Sequence, residues 1–255
     1  MVASSVVVGA GVVDEDPAAS GASHFLEHLL FNGTTTRTQR QLYDDADRLG
    51  AYNNATTRED HTLFTLLVAK EHAEEGLAIQ ADMLFRSTIP DESFEKERKI
   101  VLEELARDRV DPSYDVEAAF RAFAYAGTPI ARPVLGTEGS LGAITRPQVL
   151  AYYKKHYVPA NMTLVVMGDF DDAAMLAIVK RTFGGRRGRR SRRRPAEAGR
   201  RRRKRTSSSR PENTSPRVSS PRSPSKARPG TQQPRPRRSS SRRPGTARTR
   251  RSCAR

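Results

Sequence analysis

The segment His24–His28 contains the residue types and the spacing of a hydrolytic metal site. It reads His-x-x-Glu-His, and residues four apart on a helix project from the same face, so both imidazoles can reach one ion. Glu27 would lie beside them, where a carboxylate can act as a base toward a water molecule bound to that ion. The alternative is a chance triplet on an amphipathic helix.

A catalytic zinc ion usually has three protein ligands, so a third group is needed. Glu103 and Glu104 lie in a predicted helix, next to the apolar residues 101–102. Glu97 lies two turns before Glu104 on the same face. Carboxylates on a partly apolar face are costly to bury unless they are paired or bound to a metal. Spacing alone does not choose among them, and ordinary surface carboxylates are the alternative.

The formal charge of +16 is the sum of two unlike pieces. Residues 184–255 carry 27 Lys and Arg against two acidic residues, whereas residues 1–183 carry 18 basic and 27 acidic residues. A segment of 183 residues is long enough for one domain with a hydrophobic core. The lone Cys253 excludes a disulfide framework or a cysteine zinc cluster within one chain.

The sequence contains no apolar run long enough to span a membrane. The N-terminus also lacks the positively charged region that opens a signal peptide. We therefore expect no membrane span, and the localisation is not determined by the sequence.

Strands and helices alternate along residues 1–183 without the regular period of a doubly wound or barrel fold, which favours the α+β class. β-branched and glycine-bounded patterns predict strands over 5–13, 51–56, 61–69 and 162–167. Amphipathic spacing predicts a helix capped by Ser23 that ends at 32–33, and further helices over 36–49, 71–87, 92–110, 114–126, 144–157 and 171–183.

Several segments, in this order along the chain, resemble the pitrilysin/insulinase family of zinc peptidases, the inverzincins, which includes the mitochondrial processing peptidases. These segments are His24–His28 with the following Asn32-Gly33-Thr34, and residues 50–57, 97–104, 132–137 and 157–162 with Gly168-Asp169. The resemblance covers residues 1 to about 183. It implies a mixed, largely antiparallel sheet with helices packed on it.

The resemblance also assigns roles to individual residues. It implies zinc (Zn2+) ligands at His24, His28 and Glu104, a general base at Glu27, an acid near the metal at Glu97, and a substrate-binding edge strand at Asn54 and Ala55. An extended peptide substrate would add to that strand by backbone pairing.

The implied activity is that of a zinc-dependent endopeptidase, in which Glu27 activates the metal-bound water. Family members usually begin with a further β-hairpin and pair with a second, similar half, and neither is seen in this sequence. We therefore expect half of a two-part enzyme. The alternatives are a non-catalytic structural or substrate-holding subunit, and a truncated or frameshifted product with little activity.

The basic segment 184–255 is rich in Arg, Ser and Pro and has virtually no aliphatic residues, so we expect it to be disordered. The abrupt change in composition after residue 183 favours the interpretation that this segment is an out-of-frame translation of GC-rich DNA. A genuine basic tail and a nucleic-acid-binding segment are the alternatives. Because the segment has no aromatic residues for base stacking, such binding would be non-specific. Retention on DNA that disappears when residues 184–255 are deleted would support the last alternative.

Overall fold

The computed structural model describes residues 1–184, which contain a four-stranded antiparallel sheet. The strands are β1 (Val2–Val8), β2 (Tyr52–Thr57), β3 (Thr62–Val68) and β4 (Met162–Gly168). They lie in the order β2-β3-β1-β4, and each neighbouring pair is antiparallel. Within the described residues, β2 and β4 are therefore the edges of the sheet.

Helices make up most of the remaining described chain. They are α1 (Ala22–Leu29), α2 (Gln39–Arg48), α3 (Ala73–Arg86), α4 (Asp91–Asp108), α5 (Ser113–Ala124), α6 (Glu138–Ala143), α7 (Arg146–His156) and α8 (Asp172–Thr182). The predicted α+β class, with helices packed on a largely antiparallel sheet, is confirmed.

One face of the sheet is buried at its centre, where β1 and β3 alternate buried residues, most of them apolar, with residues that stay at least partly exposed. In β1, every second residue from Val2 to Val8 is buried. Val6 and Phe64 belong to the same core cluster as Phe25 and Leu26 of α1. A fully buried large apolar side chain contributes roughly 1.5–3 kcal/mol. These contacts therefore hold α1 firmly against the sheet.

Strand β1 differs from the predicted strand over 5–13, because it starts earlier and ends at Val8. Beyond it the chain forms a short 3-10 turn at Val12–Asp14. A side chain cannot be accommodated at Gly11, where an added Cβ would lie 2.4 Å from the backbone oxygen of Arg58. This close backbone contact with the β2–β3 turn redirects the chain, and alternation of residue types alone does not reveal it.

In residues 1–184, none of the helices combines the length and the apolar character needed to cross a lipid bilayer. The predicted disordered tail, apart from Gly184, falls on residues 185–255, which lie outside the described residues. The domain boundary at residue 183 stays a prediction.

Candidate metal centre

His24 and His28 lie side by side on α1, with their ring centroids 4.7 Å apart. This arrangement follows from the four-residue spacing. On its other faces α1 buries Phe25, Leu26 and Leu29 completely. The core contact of this short helix therefore fixes the two imidazoles next to each other.

The start of α1 is held by a buried carboxylate. Glu15 accepts hydrogen bonds from the backbone N–H groups of Gly21, at 3.0 Å, and of Ser23, at 2.9 Å. The prediction that Ser23 caps the helix is wrong, because α1 begins at Ala22 and the Ser23 hydroxyl instead lies 2.8 Å from the hydroxyl of Tyr152. Glu15 thus accepts from two N–H groups at the helix start that have no partner within the helix.

The end of α1 is fixed by a side-chain amide. Asn32 donates from Nδ2 to the backbone oxygen of His28 at 2.9 Å, and its Oδ1 accepts from Nε2 of Gln39 at 2.7 Å. Since Gln39 opens α2, the last turn of α1 is linked to the next helix. Both ends of the histidine-bearing helix are therefore held by buried or half-buried polar side chains.

Helix α4 packs against α1 and brings Glu104 to both histidines. Oε2 of Glu104 lies 3.7 Å from Nε2 of His24 and 3.4 Å from Nε2 of His28. One ligand atom from each of the three residues lies within 4.8 Å of the others. A tetrahedral zinc ion with bonds of about 2.1 Å keeps its ligand atoms about 3.4 Å apart. The distances in this group therefore fit such an ion.

Glu97 lies two turns before Glu104 on α4 and contacts the other nitrogen of the same histidine. Its Oε2 is 3.3 Å from Nδ1 of His28, and its side chain is only 8% exposed. A carboxylate on the second nitrogen of a metal-binding histidine fixes the tautomer and the orientation of the ring. Glu103, by contrast, is exposed. Burial and contacts therefore distinguish the three carboxylates that spacing alone did not.

The two neighbouring histidines have opposite pKa shifts. Burial, together with the charge of His28, lowers the pKa of His24 to about 4. Burial also disfavours the charged form of His28, but its hydrogen bonds with Glu104 and Glu97 outweigh this effect and raise its pKa to about 9. Because a metal ion binds neutral imidazole, its binding must displace the proton from Nε2 of His28.

Glu27 faces the same cavity and is almost fully buried. Burial raises the pKa of its carboxyl group, while a hydrogen bond from the Thr57 hydroxyl, at 2.5 Å to Oε2, opposes that rise. A carboxyl group with a raised pKa is suited to accept and return a proton in general acid–base catalysis.

The cavity at this site has a volume of about 360 Å³. Its lining consists of His24, Glu27, His28, Asn54, Ala55, Thr56, Thr57, Glu104, Val134 and Leu135. Asn54 and Ala55 belong to β2, and no strand among residues 1–184 pairs with the outer edge of β2. The free main-chain edge therefore runs along the wall of the cavity that contains the three potential ligands.

The structure brings the predicted site residues together, with six of them in the cavity wall and Glu97 behind His28. The roles of Thr57, Val134 and Leu135 were not foreseen. The sequence could have indicated Thr57, because it lies two residues after Ala55 and therefore on the same face of the strand. Val134 and Leu135 lie between regular elements, where residue periodicity carries no information.

Two family profiles match this chain. The profile described as "Insulinase (Peptidase family M16)" matches residues 1–138, and one described as "Peptidase M16 inactive domain" matches residues 143–235. The first match covers more than half of the chain. The chain therefore belongs to the insulinase family of peptidases.

Curated relatives of this chain carry the name of zinc proteases. An uncharacterized zinc protease of Mycobacterium leprae is 37% identical over 188 residues, which are 73% of this chain and 42% of that protein. The uncharacterized zinc protease YmxG of Bacillus subtilis is 33% identical over 183 residues, covering 72% of this chain and 44% of the relative. The chain thus spans less than half the length of these relatives.

Solved protease structures share the fold. The periplasmic protease PqqL from Escherichia coli superposes with a TM-score of 0.70 at 26% identity, over 76% of this chain and 22% of that one. A protease from Helicobacter pylori gives a TM-score of 0.68 at 25% identity, over 74% and 46% of the two chains. The resemblance to insulinase-family zinc peptidases that the motifs indicated is confirmed.

Proposed function

We propose that this chain is the catalytic part of a zinc-dependent endopeptidase that hydrolyses peptide bonds of extended peptides. The observation that carries the proposal is the convergence of His24, His28 and Glu104 beside Glu27, in one cavity next to a free strand edge. All four residues fall within the match to the insulinase profile, and none falls within the match to the inactive domain. This favours a catalytic role over that of a non-catalytic subunit.

The proposed zinc ligands are His24, His28 and Glu104, with Glu97 orienting His28 through Nδ1. Two imidazoles and one carboxylate are a donor set typical of catalytic zinc sites, and the names of the relatives support this metal. A zinc ion held by these residues would lower the pKa of a bound water molecule and polarise the scissile carbonyl group.

Glu27 is the proposed general base. Its carboxylate faces the cavity without belonging to the three-residue group, so it can take a proton from the attacking water. The same carboxyl group can then give that proton to the leaving amine as the C–N bond breaks. Burial favours this return, because it raises the pKa of Glu27 above the ordinary carboxyl value.

The proposed substrate site is the outer edge of β2 at Asn54 and Ala55. An extended peptide can pair there through main-chain hydrogen bonds, which give affinity without requiring a particular sequence. Pairing along β2 would lay the peptide past Glu27 and the zinc ligands, since all of these residues line the same cavity.

A second, family-like half is the proposed partner. The chain spans less than half of its relatives, and one similar structure is the first half of PqqL, with a TM-score of 0.70. Helix α5 buries none of its residues, and Val116, Phe120 and Phe123 on one of its faces are 69%, 65% and 85% exposed. Exposed apolar residues grouped in this way are typical of an interaction surface.

The proposed catalytic domain is residues 1–183, with 184–255 outside it.

The proposal is tested by zinc content and cleavage of a quenched fluorescent peptide library, using the full chain with and without a candidate partner half. We expect about one zinc ion per chain. Cleavage should be lost with a chelator and restored by zinc. Glu27→Gln should retain zinc and lose cleavage, because the amide cannot accept the proton.

The matched control is Glu103→Gln, which makes the same change at an exposed position of α4. We expect the control to behave as the unaltered chain in both assays. Normal cleavage by Glu27→Gln would refute the assignment of the base, and an absence of bound zinc in the unaltered chain would refute the metallopeptidase proposal.

A further inference from the structure

Thr57 makes a short and buried contact with the proposed base. Its hydroxyl donates to Oε2 of Glu27 at 2.5 Å, and the two residues are 6% and 8% exposed. Among residues 1–184, no other side chain hydrogen-bonds to the Glu27 carboxylate. The orientation of that carboxylate therefore depends chiefly on Thr57.

The hydrogen bond of the Thr57 hydroxyl runs from the sheet to a helix. Threonine hydroxyls commonly bond to nearby backbone groups, and Thr62, which faces Thr57 in the β2–β3 register, donates to the backbone oxygen of Ala10 at 3.0 Å. Thr57 instead reaches out of the sheet to a side chain of α1. The Thr57 hydroxyl therefore bonds to a residue of the site and not to a backbone group of the sheet.

We propose that Thr57 is a positioning residue that fixes the carboxylate of Glu27 in the orientation needed to take a proton from water. This inference rests on the proposed function. The terminal torsion of a glutamate side chain has no sharp minima, so a single donor at Oε2 selects one plane for the carboxylate. The backbone of Thr57 also contacts this carboxylate, and loss of the hydroxyl should therefore loosen Glu27 without releasing it.

The position of Thr57 on β2 couples two parts of the proposed reaction. Asn54 and Ala55, the proposed substrate edge, lie on the same strand, and Ala55 shares with Thr57 the inward face of the alternating pattern. One rigid element would thus set both where the peptide lies and how the base is oriented toward it.

The kinetic test compares Thr57→Val, which keeps the shape but removes the donor, with Thr57→Ser, which keeps the donor. In the full chain we expect Thr57→Val to lower kcat about 10-fold, a fraction of the effect of general base catalysis. KM and zinc content should not change, and Thr57→Ser should restore most of kcat. The control is Thr163→Val, at an exposed position of β4.

A second measurement does not depend on turnover. We expect the urea midpoint of the double variant to shift by less than the sum of the shifts caused by Thr57→Val and Glu27→Ala. The reason is that either single substitution already breaks the hydrogen bond between the two residues. Additive midpoints, or an unchanged kcat in Thr57→Val, would overturn the proposal. If the unaltered chain cleaves no peptide either alone or with a partner half, the proposed function fails, and the midpoints still decide whether Thr57 holds Glu27.

Discussion

His28 contacts carboxylates at both of its ring nitrogens, and the two contacts are not equivalent. Glu104 lies near Nε2 of His28 and also near His24, whereas Glu97 reaches only Nδ1 of His28. A carboxylate near Nε2 of both histidines can bind the same ion as the two rings. A carboxylate at Nδ1 of one histidine can only orient that ring. The geometry therefore favours Glu104 as the ligand and Glu97 as the orienting acid.

Glu104→Gln should weaken zinc binding far more than Glu103→Gln. Loss of an orienting partner alone costs roughly 10–100-fold in metal affinity, so loss of a ligand should cost more. Glu103→Gln, at an exposed site, should leave the affinity unchanged. Competition with a zinc-binding dye measures both variants, and equal affinities would contradict the assignment.

The sequence predicts local relations between these residues well and distant ones poorly. The common face of His24 and His28 follows from helix geometry alone. The approach of Glu104, by contrast, depends on the packing of α4 against α1, and only the family resemblance indicated it. The cap of α1 was assigned to Ser23 because the sequence pattern cannot show that the buried Glu15 is folded back onto the helix start.

Helix α1 also depends on the loop that follows it. Asp82 of α3 accepts hydrogen bonds from the hydroxyls of Thr34 and Thr36, at 2.7 and 2.6 Å, and from Arg37 at 2.9 Å. Burial raises the pKa of Asp82, but these three donors outweigh burial and lower it below its ordinary value. The network ties the segment after α1 to α3 and so limits how far the histidine-bearing helix can move.

Replacement of Asp82 by Asn should destabilise the fold in a pH-dependent way. At pH 7 we expect a loss of about 2–3 kcal/mol in the free energy of unfolding, because Arg37 and two hydroxyls lose a buried anionic acceptor. Since the folded pKa lies below the ordinary value, the contribution of Asp82 is complete above about pH 4 and disappears as the pH falls through the folded pKa. Urea unfolding at pH 7 and pH 3 measures this difference.

The matched change for comparison is Asp44→Asn, whose side chain is 65% exposed and pairs with the exposed Arg40. It should cost little at either pH, because exposed ion pairs contribute little. An Asp82→Asn variant that loses the same free energy at pH 3 as at pH 7 would contradict the role of the charge.

At the level of elements, most helices and strands lie within a few residues of their predicted bounds, since their apolar spacing is regular. Helix α6 was not predicted, because its six residues include two glycines, which are poor helix formers. It forms nevertheless because Thr137 and Ser140 make a capping box and Leu141 is fully buried. Such tertiary support is invisible in a short, glycine-containing pattern.

At the scale of the whole molecule, the potential ligands come from two helices that are distant in sequence, and the cavity between them opens along β2. A metal ion bound there would link α1 to α4 in the folded state and could not do so in the unfolded chain. Zinc binding should therefore stabilise the entire fold.

Zinc should raise the thermal unfolding midpoint of the full chain. At a free zinc concentration 100 times Kd the gain is about 2.7 kcal/mol, which corresponds to roughly 5–10 °C for a domain of this size. Differential scanning calorimetry with zinc and with a chelator measures the shift. His24→Ala should abolish it and His72→Ala, at a half-exposed position outside the cavity lining, should not. An equal shift in both variants would place the metal elsewhere.

The most direct test of the proposed catalytic centre is anomalous diffraction at the zinc edge from crystals of the full chain grown with zinc. We expect one peak within bonding distance of Nε2 of His24, Nε2 of His28 and a carboxylate oxygen of Glu104, with Glu27 close by but not bound to the ion. A peak at another group of residues, or a zinc ion bound by Glu27 in place of Glu104, would contradict this assignment.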